Sequence, residues 1–452
     1  MALWFDEALL PGGWERSVRI TLADGLIASV ETGAAPHPGD ERGAVVVPGL
    51  ANLHSHAFQR GMAGLAETRG AMGDDFWTWR EIMYRFVDRL EPDDVEAIAA
   101  MAFAEMLESG FTRVGEFHYL HRDPAGAAYA DPAEMGARIA AAAAATGLGL
   151  TLLPVFYAHG GFGGAPAGHA QRRFVHTVDG FARLVEASRR AMSGLPDAVV
   201  GVAPHSLRAA TPEEIGQILP LAAGAPIHVH IAEQTREVDD CLAWSGQRPV
   251  AWLLDHAPVD ARWCLVHATH MNEAETLGLA ASGATVGLCP ITEANLGDGV
   301  FPAGRFLAAG GAFGVGSDSN VLIDAAEELR TLEYGQRLFA RARAVLASAA
   351  QPSVGRTLFD GALAGGASAL GVGAGGIAPG ASCELVSLDA GHPALAARRG
   401  DALLDGWIFA ARGGAVDGVW RRGGKVVSQG RHVRRQAIVA AYREVISKVL
   451  SA

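Results

Sequence analysis

Two histidines, His54 and His56, stand one residue apart after an apolar run that begins at Val45 and contains a Pro-Gly pair. Residues i and i+2 of a strand point to the same side, so both imidazoles can reach one metal ion. Imidazole nitrogen is a good ligand for borderline metals such as zinc. The pair alone has little specificity, and it gains weight only because further histidines end later strand-like runs.

A second pair of histidines, His228 and His230, ends another apolar run and is followed by Glu233. Alternation places both histidines on the same side of the strand, so the sequence alone does not choose the ligand between them. We assign His230 to the metal because it lies nearer the strand terminus. His228 is left as a supporting or packing residue.

Asp318 ends an apolar strand in a loop of small residues, and we predict that it is the fourth metal ligand. The alternative is a helix cap, but a cap would lie closer to the helix expected near Ala325. Three histidines and a carboxylate leave a position for water, whose pKa a bound metal lowers toward neutrality. Asp318 would accept a proton, and Glu233 would carry one to the departing nitrogen. His267 would hydrogen-bond the attacking hydroxide or the developing tetrahedral centre.

The elements that position these residues alternate between strand-like and helical patterns over about 48–370, which predicts parallel β/α units. Eight candidate strands indicate an α/β fold, a (β/α)8 barrel of the TIM type, whose active sites lie at the carboxyl ends of the strands. The candidate strands are 44–47, 112–117, 149–155, 198–203, 227–231, 263–267, 285–288 and 312–316. The predicted helices include 92–108, 133–145, 178–192, 212–221 and 325–346.

Both ends of the chain are rich in strand patterns. One hairpin is predicted around Asp24-Gly25 and another around Gly423-Gly424. We expect one small β-sandwich domain built from 1–47 plus 371–433, a catalytic barrel over 48–370 and a C-terminal helix over 434–452. Two unrelated β decorations are the alternative.

The composition limits the partners and the location of the protein. A net charge of −12 argues against a nucleic-acid partner, because phosphate binding needs a basic surface. The chain has neither an uninterrupted apolar run of membrane-spanning length nor a secretory signal at its start, so we expect no membrane partner. The cysteines are far apart and are expected to be reduced thiols in a cytoplasmic protein. They are Cys241, Cys264, Cys289 and Cys383.

Taken together, these motifs resemble the amidohydrolase superfamily over almost the whole chain. The fourth-strand end carries Ala203-Pro-His-Ser-Leu-Arg208, where the binuclear members have a lysine that carries a bridging carbamate. This resemblance implies the single-metal deaminase branch, which hydrolyses C=N bonds and releases ammonia. It implies one divalent metal ion, zinc by default, although iron or manganese can occupy the same ligands. It also suggests a homodimer.

Within that branch the sequence is most similar to the formimidoylglutamate deiminases of histidine degradation. The resemblance implies hydrolysis of N-formimino-L-glutamate to N-formyl-L-glutamate and ammonia. The matching stretches are His54-Ser-His-Ala-Phe-Gln-Arg-Gly-Met62, Asp75-Phe-Trp-Thr-Trp-Arg80, Gly115-Glu-Phe-His-Tyr119, Ala203-Pro-His-Ser-Leu-Arg208, His228-Val-His-Ile-Ala-Glu-Gln234 and Gly316-Ser-Asp-Ser-Asn320.

A substrate of this kind carries two carboxylates and a cationic formimino group. Because the protein is acidic, locally placed arginines must bind the carboxylates, and planar guanidinium groups suit them. We predict that Arg80 and Arg208 face the pocket, with Gln59, Tyr119 and His205 adding polar contacts. Arg80 could instead cover a helix face, and Tyr119 could belong to the core.

Two other functions compete with this interpretation. A deaminase of a heterocycle, such as guanine, an adenosine derivative or a pterin, would use the same metal ligands with an aromatic, neutral pocket. A non-catalytic scaffold protein would be expected to lack a metal ligand, and no ligand is missing from this sequence.

Overall fold

The computed structural model describes residues 1–69, 75–373 and 375–451. Ala374, which falls in the predicted sandwich domain, and Ala452, the last residue of the predicted C-terminal helix, lie outside the described residues. Among the described helices, none combines the length and the apolar character that a bilayer crossing requires.

The strands of the described residues form a barrel, a separate sheet made from the two ends of the chain and a small two-stranded sheet, His159–Gly161 with Ala165–Pro166. In chain order they are β1 (Ala2–Leu10), β2 (Gly13–Ala23), β3 (Leu26–Glu31), β4 (Glu41–Pro48), β5 (Leu50–Ser55), β6 (Phe111–His118), β7 (Gly149–Phe156), β8 (His159–Gly161), β9 (Ala165–Pro166), β10 (Val199–Val200), β11 (Ala203–Pro204), β12 (Ile227–Ile231), β13 (Trp263–His267), β14 (Thr285–Leu288), β15 (Ala312–Val315), β16 (Glu384–Leu388), β17 (Val416–Arg421), β18 (Gly424–Ser428) and β19 (Arg431–His432).

Most of the helices lie between barrel strands and cover the outside of the barrel. In chain order they are α1 (Phe76–Val87), α2 (Pro92–Ser109), α3 (Glu134–Thr146), α4 (Val178–Met192), α5 (Pro212–Ile218), α6 (Thr235–Ser245), α7 (Pro249–His256), α8 (Glu273–Ser282), α9 (Pro290–Leu296), α10 (Ala303–Ala308), α11 (Ala325–Ala340), α12 (Val354–Ala369), α13 (Asp401–Ala410) and α14 (Arg435–Ser451).

The parallel strands β5 to β7 and β10 to β15 close into the predicted (β/α)8 barrel, with β10 and β11 together forming its fourth strand. β5, β6 and β7 pair in succession, β10 and β11 both pair with β7, and β12 to β15 pair in succession. A bridge between Val202 and Ile227 joins the fourth strand to β12, and a bridge between Ser55 and Asp318 joins β5 to the end of β15. The closure therefore sets the first and last strand ends side by side.

The first barrel strand differs from the predicted run 44–47, and that prediction was wrong. This run belongs to β4, which pairs with β1 and β16 in the terminal sheet, and the barrel begins with β5. The β-branched run Val45–Val47 gave the stronger strand signal. Leu50–Ser55 has little strand propensity, but all six of its residues are buried, as in a barrel strand that is covered on both faces.

The terminal strands share one sheet, in the order β19-β18-β17-β16-β4-β1-β2-β3. This sheet turns back on itself, so that the β2–β3 hairpin meets the segment before β16. There the backbone N–H of Ile27 donates to the carbonyl of Ala381, and that of Cys383 donates to the carbonyl of Gly25. A small apolar core fills its interior. Both predicted hairpins are present, as β2–β3 and β17–β18. The exact domain boundaries stay a prediction.

The end of α11 also differs from the sequence expectation. The helix was predicted to reach residue 346, but it ends at Ala340, where Arg341 adopts a left-handed φ of 53°. Its N-cap is Asp324, whose side chain accepts a hydrogen bond from the backbone of Glu327. Asp318 is therefore not needed as a helix cap.

Candidate active site

Side chains at the ends of three barrel strands converge on one buried point. His54 and His56 come from β5 and the residue after it, His230 from β12, and Asp318 from the loop after β15; their ligand atoms lie within 4.8 Å of one another. Nε2 of His54 is 3.3 Å from that of His56 and 3.1 Å from that of His230. Oδ1 of Asp318 lies 3.4 and 3.2 Å from the first two histidines. The structure thus brings the four predicted metal ligands together.

The hydrogen bonds behind two of these histidines determine which nitrogen faces the cluster. Nδ1 of His56 donates to the carbonyl of Phe117 at 2.8 Å, and Nδ1 of His230 donates to the carbonyl of His205 at 3.2 Å. Their Nε2 lone pairs therefore face the carboxylate and one another, an arrangement that repels unless a cation lies among them. The donor set of three nitrogens and one oxygen fits a divalent metal ion.

A network of buried polar groups holds the end of β15 against the end of β5. The backbone N–H of Ser317 donates to Oδ1 of Asn52 at 3.0 Å, and Nδ2 of Asn52 donates to Oγ of Ser317 at 2.6 Å. Nδ2 of Asn320 donates to Oγ of Ser55 at 3.1 Å. These contacts tie the loop that carries Asp318 to the strand that carries the histidine pair.

The backbone at the site is both close-packed and strained. A Cβ on Gly316 would lie only 2.6 Å from the carbonyl oxygen of His54, so β15 can approach β5 this closely only with glycine at that position. Asp318 and His267 have left-handed φ values of 45° and 67°. Non-glycine residues adopt such a backbone at a cost, and strain of this kind is common at functional sites.

His267 and Glu233 lie beside the metal ligands. Nε2 of His267 is 3.9 Å from Oε1 of Glu233 and 3.9 Å from Oδ2 of Asp318, while its Nδ1 is 3.2 Å from Oε1 of Glu293. Burial raises the pKa of Glu233. Burial by itself lowers the pKa of His267, but the charges of Glu233, Glu293 and Asp318 raise it overall. Glu293 was not predicted from the sequence. It lies in the first turn of α9, three residues after Pro290.

A cavity opens onto this cluster. Its lining combines the metal-site residues with aromatic side chains and two arginines. The lining residues are His56, Gln59, Phe76, Trp79, Arg80, Met83, Tyr84, Tyr119, Tyr157, Phe174, His205, Arg208, His230, Glu233, His267, Leu296 and Asp318. Every residue that the sequence analysis assigned to substrate binding is among them.

Each of the two cavity arginines has a buried nitrogen for which the described residues provide no hydrogen-bond partner. These atoms are Nε of Arg80 and Nε of Arg208. Arg208 makes a long ion pair of 4.0 Å with Glu237. Arg80 lies on α1, whose first turn is capped by the side chain of Asp75. Because unpartnered cationic N–H groups are costly to bury, the cavity favours an anionic ligand.

Two further polar groups in the cavity were predicted from the sequence. Nε2 of Gln59 donates to the hydroxyl of Tyr119 at 2.7 Å, which leaves Oε1 of Gln59 buried without a partner. His205 packs its ring on Tyr157, with 4.7 Å between ring centres. Tyr119 is therefore both buried and part of the cavity wall.

Two family models match the chain. The model described as Amidohydrolase family matches residues 45–427, and the model described as Formimidoylglutamate deiminase HutF, N-terminal domain, matches residues 2–44. The chain belongs to the amidohydrolase family.

Individual relatives of this amidohydrolase extend over nearly its whole length. A formimidoylglutamate deiminase from Pseudomonas aeruginosa is 51% identical, with 99% of each chain covered. A 5-methylthioadenosine/S-adenosylhomocysteine deaminase from Natronomonas pharaonis is 30% identical and covers 93% of this chain and 89% of its own. The crystal structure of an amidohydrolase from Brucella melitensis is 56% identical, with a TM-score of 0.96 and 99% of both chains covered.

Three more histidines of this amidohydrolase, His159, His228 and His270, are not among the residues that line the cavity. Nε2 of His228 donates to the carbonyl of Ala369 at 2.7 Å. His159 pairs with Glu214 at 2.9 Å, and Nε2 of His270 donates to a backbone carbonyl in the loop after α9.

Proposed function

We propose that this amidohydrolase hydrolyses N-formimino-L-glutamate to N-formyl-L-glutamate and ammonia, as in histidine degradation. The observation that carries the proposal is that one cavity joins the buried His54–His56–His230–Asp318 cluster to two arginines with unpartnered nitrogens. The substrate matches this arrangement, since it has two carboxylates and a hydrolysable formimino group. The high identity to a formimidoylglutamate deiminase supports the same substrate.

The metal site would take one divalent ion, held by His54, His56, His230 and Asp318. Zinc is the ion that best suits three imidazoles and one carboxylate, although other divalent metals bind the same donors. When bound, the ion lowers the pKa of a water molecule toward neutrality. The identity of the metal, the homodimer and the cytoplasmic location stay predictions.

The proton transfers fall to the side chains beside the metal ligands. Asp318 accepts a proton from the attacking water. Glu233, whose pKa is raised by burial, holds a proton and gives it to the departing nitrogen, so that ammonia leaves. His267 is oriented by Glu293 through Nδ1, so that its Nε2 can donate a hydrogen bond to the attacking oxygen at the tetrahedral centre.

The substrate is held by polar groups of the cavity wall, three of which have a buried atom without a hydrogen-bond partner among the described residues. Arg80 and Arg208 bind the carboxylates through their guanidinium groups. Oε1 of Gln59, which lacks a partner, accepts from a substrate N–H. Tyr119 and His205 complete the polar wall around the substrate.

Ammonia release from a panel of substrates tests the proposal. The metal-loaded protein is assayed with N-formimino-L-glutamate, 5′-methylthioadenosine, adenosine and guanine. We expect kcat/KM for N-formimino-L-glutamate to be higher by at least about 100-fold, because the buried arginines are left unpaired by the other three compounds. Turnover of a nucleoside or base, without turnover of N-formimino-L-glutamate, would favour the heterocycle deaminase instead.

A further inference from the structure

A third arginine approaches the substrate site from outside the cavity, at the ring of Trp77. The guanidinium carbons of Arg80, Arg208 and Arg236 lie 4.6, 5.6 and 4.8 Å from the centre of that ring. Arg80 and Arg208 line the cavity, whereas Arg236 lies on α6 with its side chain 65% exposed. One indole therefore contacts three cations from three segments of the chain.

The positive charge around Trp77 is only partly balanced. Arg236 pairs with Asp240 at 3.6 Å in an exposed contact one helical turn away, and such pairs contribute little. Arg208 lies 4.0 Å from Glu237. The carboxylate of Glu237 also accepts hydrogen bonds from two backbone N–H groups in the loop before α6, each at 3.2 Å. Three guanidinium groups around Trp77 are thus matched by only these two paired carboxylates.

We propose that Trp77 and Arg236 make the site selective for doubly charged anions, an inference that rests on the proposed function. Trp77 is a positioning residue: its flat, rigid ring packs against both cavity guanidinium groups and orders them for two carboxylates. Arg236 adds a third positive charge at the rim. This charge attracts a dianion more strongly than a monoanion, because the interaction energy scales with the charge of the ligand.

The substitution Arg236→Gln tests whether the positive charge of Arg236 attracts the substrate. Arg190→Gln is the matched control. Arg190 is also 65% exposed and also pairs with an acid four residues away, but it lies in the last turn of α4 and outside the cavity lining. We expect Arg236→Gln to lower kcat/KM for N-formimino-L-glutamate about threefold to tenfold at about 0.01 M salt, with kcat unchanged. The loss shrinks at about 0.5 M salt, where exposed charges are screened. Arg236→Lys and Arg190→Gln retain the wild-type values.

Trp77→Leu tests the positioning role, with Trp77→Phe as the conservative variant and thermal unfolding as the check on folding. We expect Trp77→Leu to raise KM for N-formimino-L-glutamate about tenfold with kcat within about twofold, and Trp77→Phe to recover part of that loss. The ratio of kcat/KM for N-formimino-L-glutamate to that for the monoanion N-formiminoglycine falls in both Trp77→Leu and Arg236→Gln. If these residues only supported the fold, each substitution would lower kcat/KM for the dianion and for the monoanion by the same factor.

Two outcomes overturn the inference while the proposed function stands. One is an equal loss of kcat/KM for the dianion and for the monoanion. The other is the same kcat/KM in Arg236→Gln and Arg190→Gln at low salt. If the wild-type protein does not turn over N-formimino-L-glutamate, the proposed function fails instead. The inference is then decided by calorimetric binding of glutarate and butyrate to the metal-loaded protein. A preference for glutarate that Arg236→Gln reduces supports it, and equal affinities contradict it.

Discussion

What an imidazole does at this site depends on the partner of its second nitrogen. His56 and His230 donate from Nδ1 to backbone carbonyls, which are neutral, so Nε2 is left as a lone pair for a metal ion. Nδ1 of His267 instead contacts the carboxylate of Glu293, and nearby acids raise its pKa. The same side chain is therefore prepared to bind a metal ion at two positions and to donate a hydrogen bond at the third.

Replacing Glu233 by Gln separates proton transfer from metal binding. Gln keeps the shape of the side chain but cannot carry a proton, so we expect metal content to stay unchanged while kcat falls about 10²- to 10⁴-fold. Metal analysis and ammonia release on the same sample check both expectations. Glu214→Gln is the control, since Glu214 pairs with His159 outside the cavity lining, and near-normal turnover by Glu233→Gln would contradict its role.

At the scale of elements, the contact between β5 and β15 depends on one glycine. A Cβ on Gly316 would lie 2.6 and 2.7 Å from backbone atoms of His54, and backbone cannot move aside cheaply. We expect Gly316→Ala to lower the free energy of unfolding by about 1–3 kcal/mol. It should also weaken metal binding, because Asp318 lies two residues further along the chain.

Denaturant unfolding and metal titration of Gly316→Ala measure these two effects. Gly216→Ala is the control: this glycine lies in α5 with no atom within 4 Å of an added Cβ. Alanine in a helix should raise stability there by about 0.5–1 kcal/mol. Wild-type stability and metal affinity in Gly316→Ala would show that the two strands tolerate a wider spacing.

The sequence predicted elements best where the signal was local. The amphipathic pattern of α4 gave its bounds, and the parallel β/α alternation gave the barrel. The sequence did not distinguish β4 from β5, because the sheet that each joins is decided by partners far away along the chain. Local propensity carries no information about such a choice.

The residues of the site likewise divide into those with a clear local signal and those whose role depends on distant partners. Histidines and acids at strand ends are unusual residues in unusual places, so the four residues that cluster in the structure could be picked out from their types and spacing. Glu293 and Asn320 were missed because acids in the first turn of a helix and asparagines in loops have common local explanations. Their roles depend on His267 and Ser55, which tertiary folding alone brings close.

For the whole molecule, a bound metal ion would link the first, fifth and eighth barrel strands, because its ligands come from all three. We expect chelation to lower the Tm and metal addition to restore it. Tight binding stabilises the folded state by about 4 kcal/mol when the metal concentration is about 1,000-fold above Kd. Scanning calorimetry measures the shift, and Asp318→Asn should respond far less to the chelator. An unchanged Tm in a sample proved free of metal would contradict the linkage.

The terminal sheet has a consequence for how the protein is made. β4 pairs with β1 on one edge and with β16 on the other, and the whole barrel lies between β4 and β16 in the chain. While the ribosome is still synthesising the barrel, one edge of β4 has no strand to pair with. Such an exposed edge invites aggregation of nascent chains, so this stage of synthesis is where chaperones would matter most.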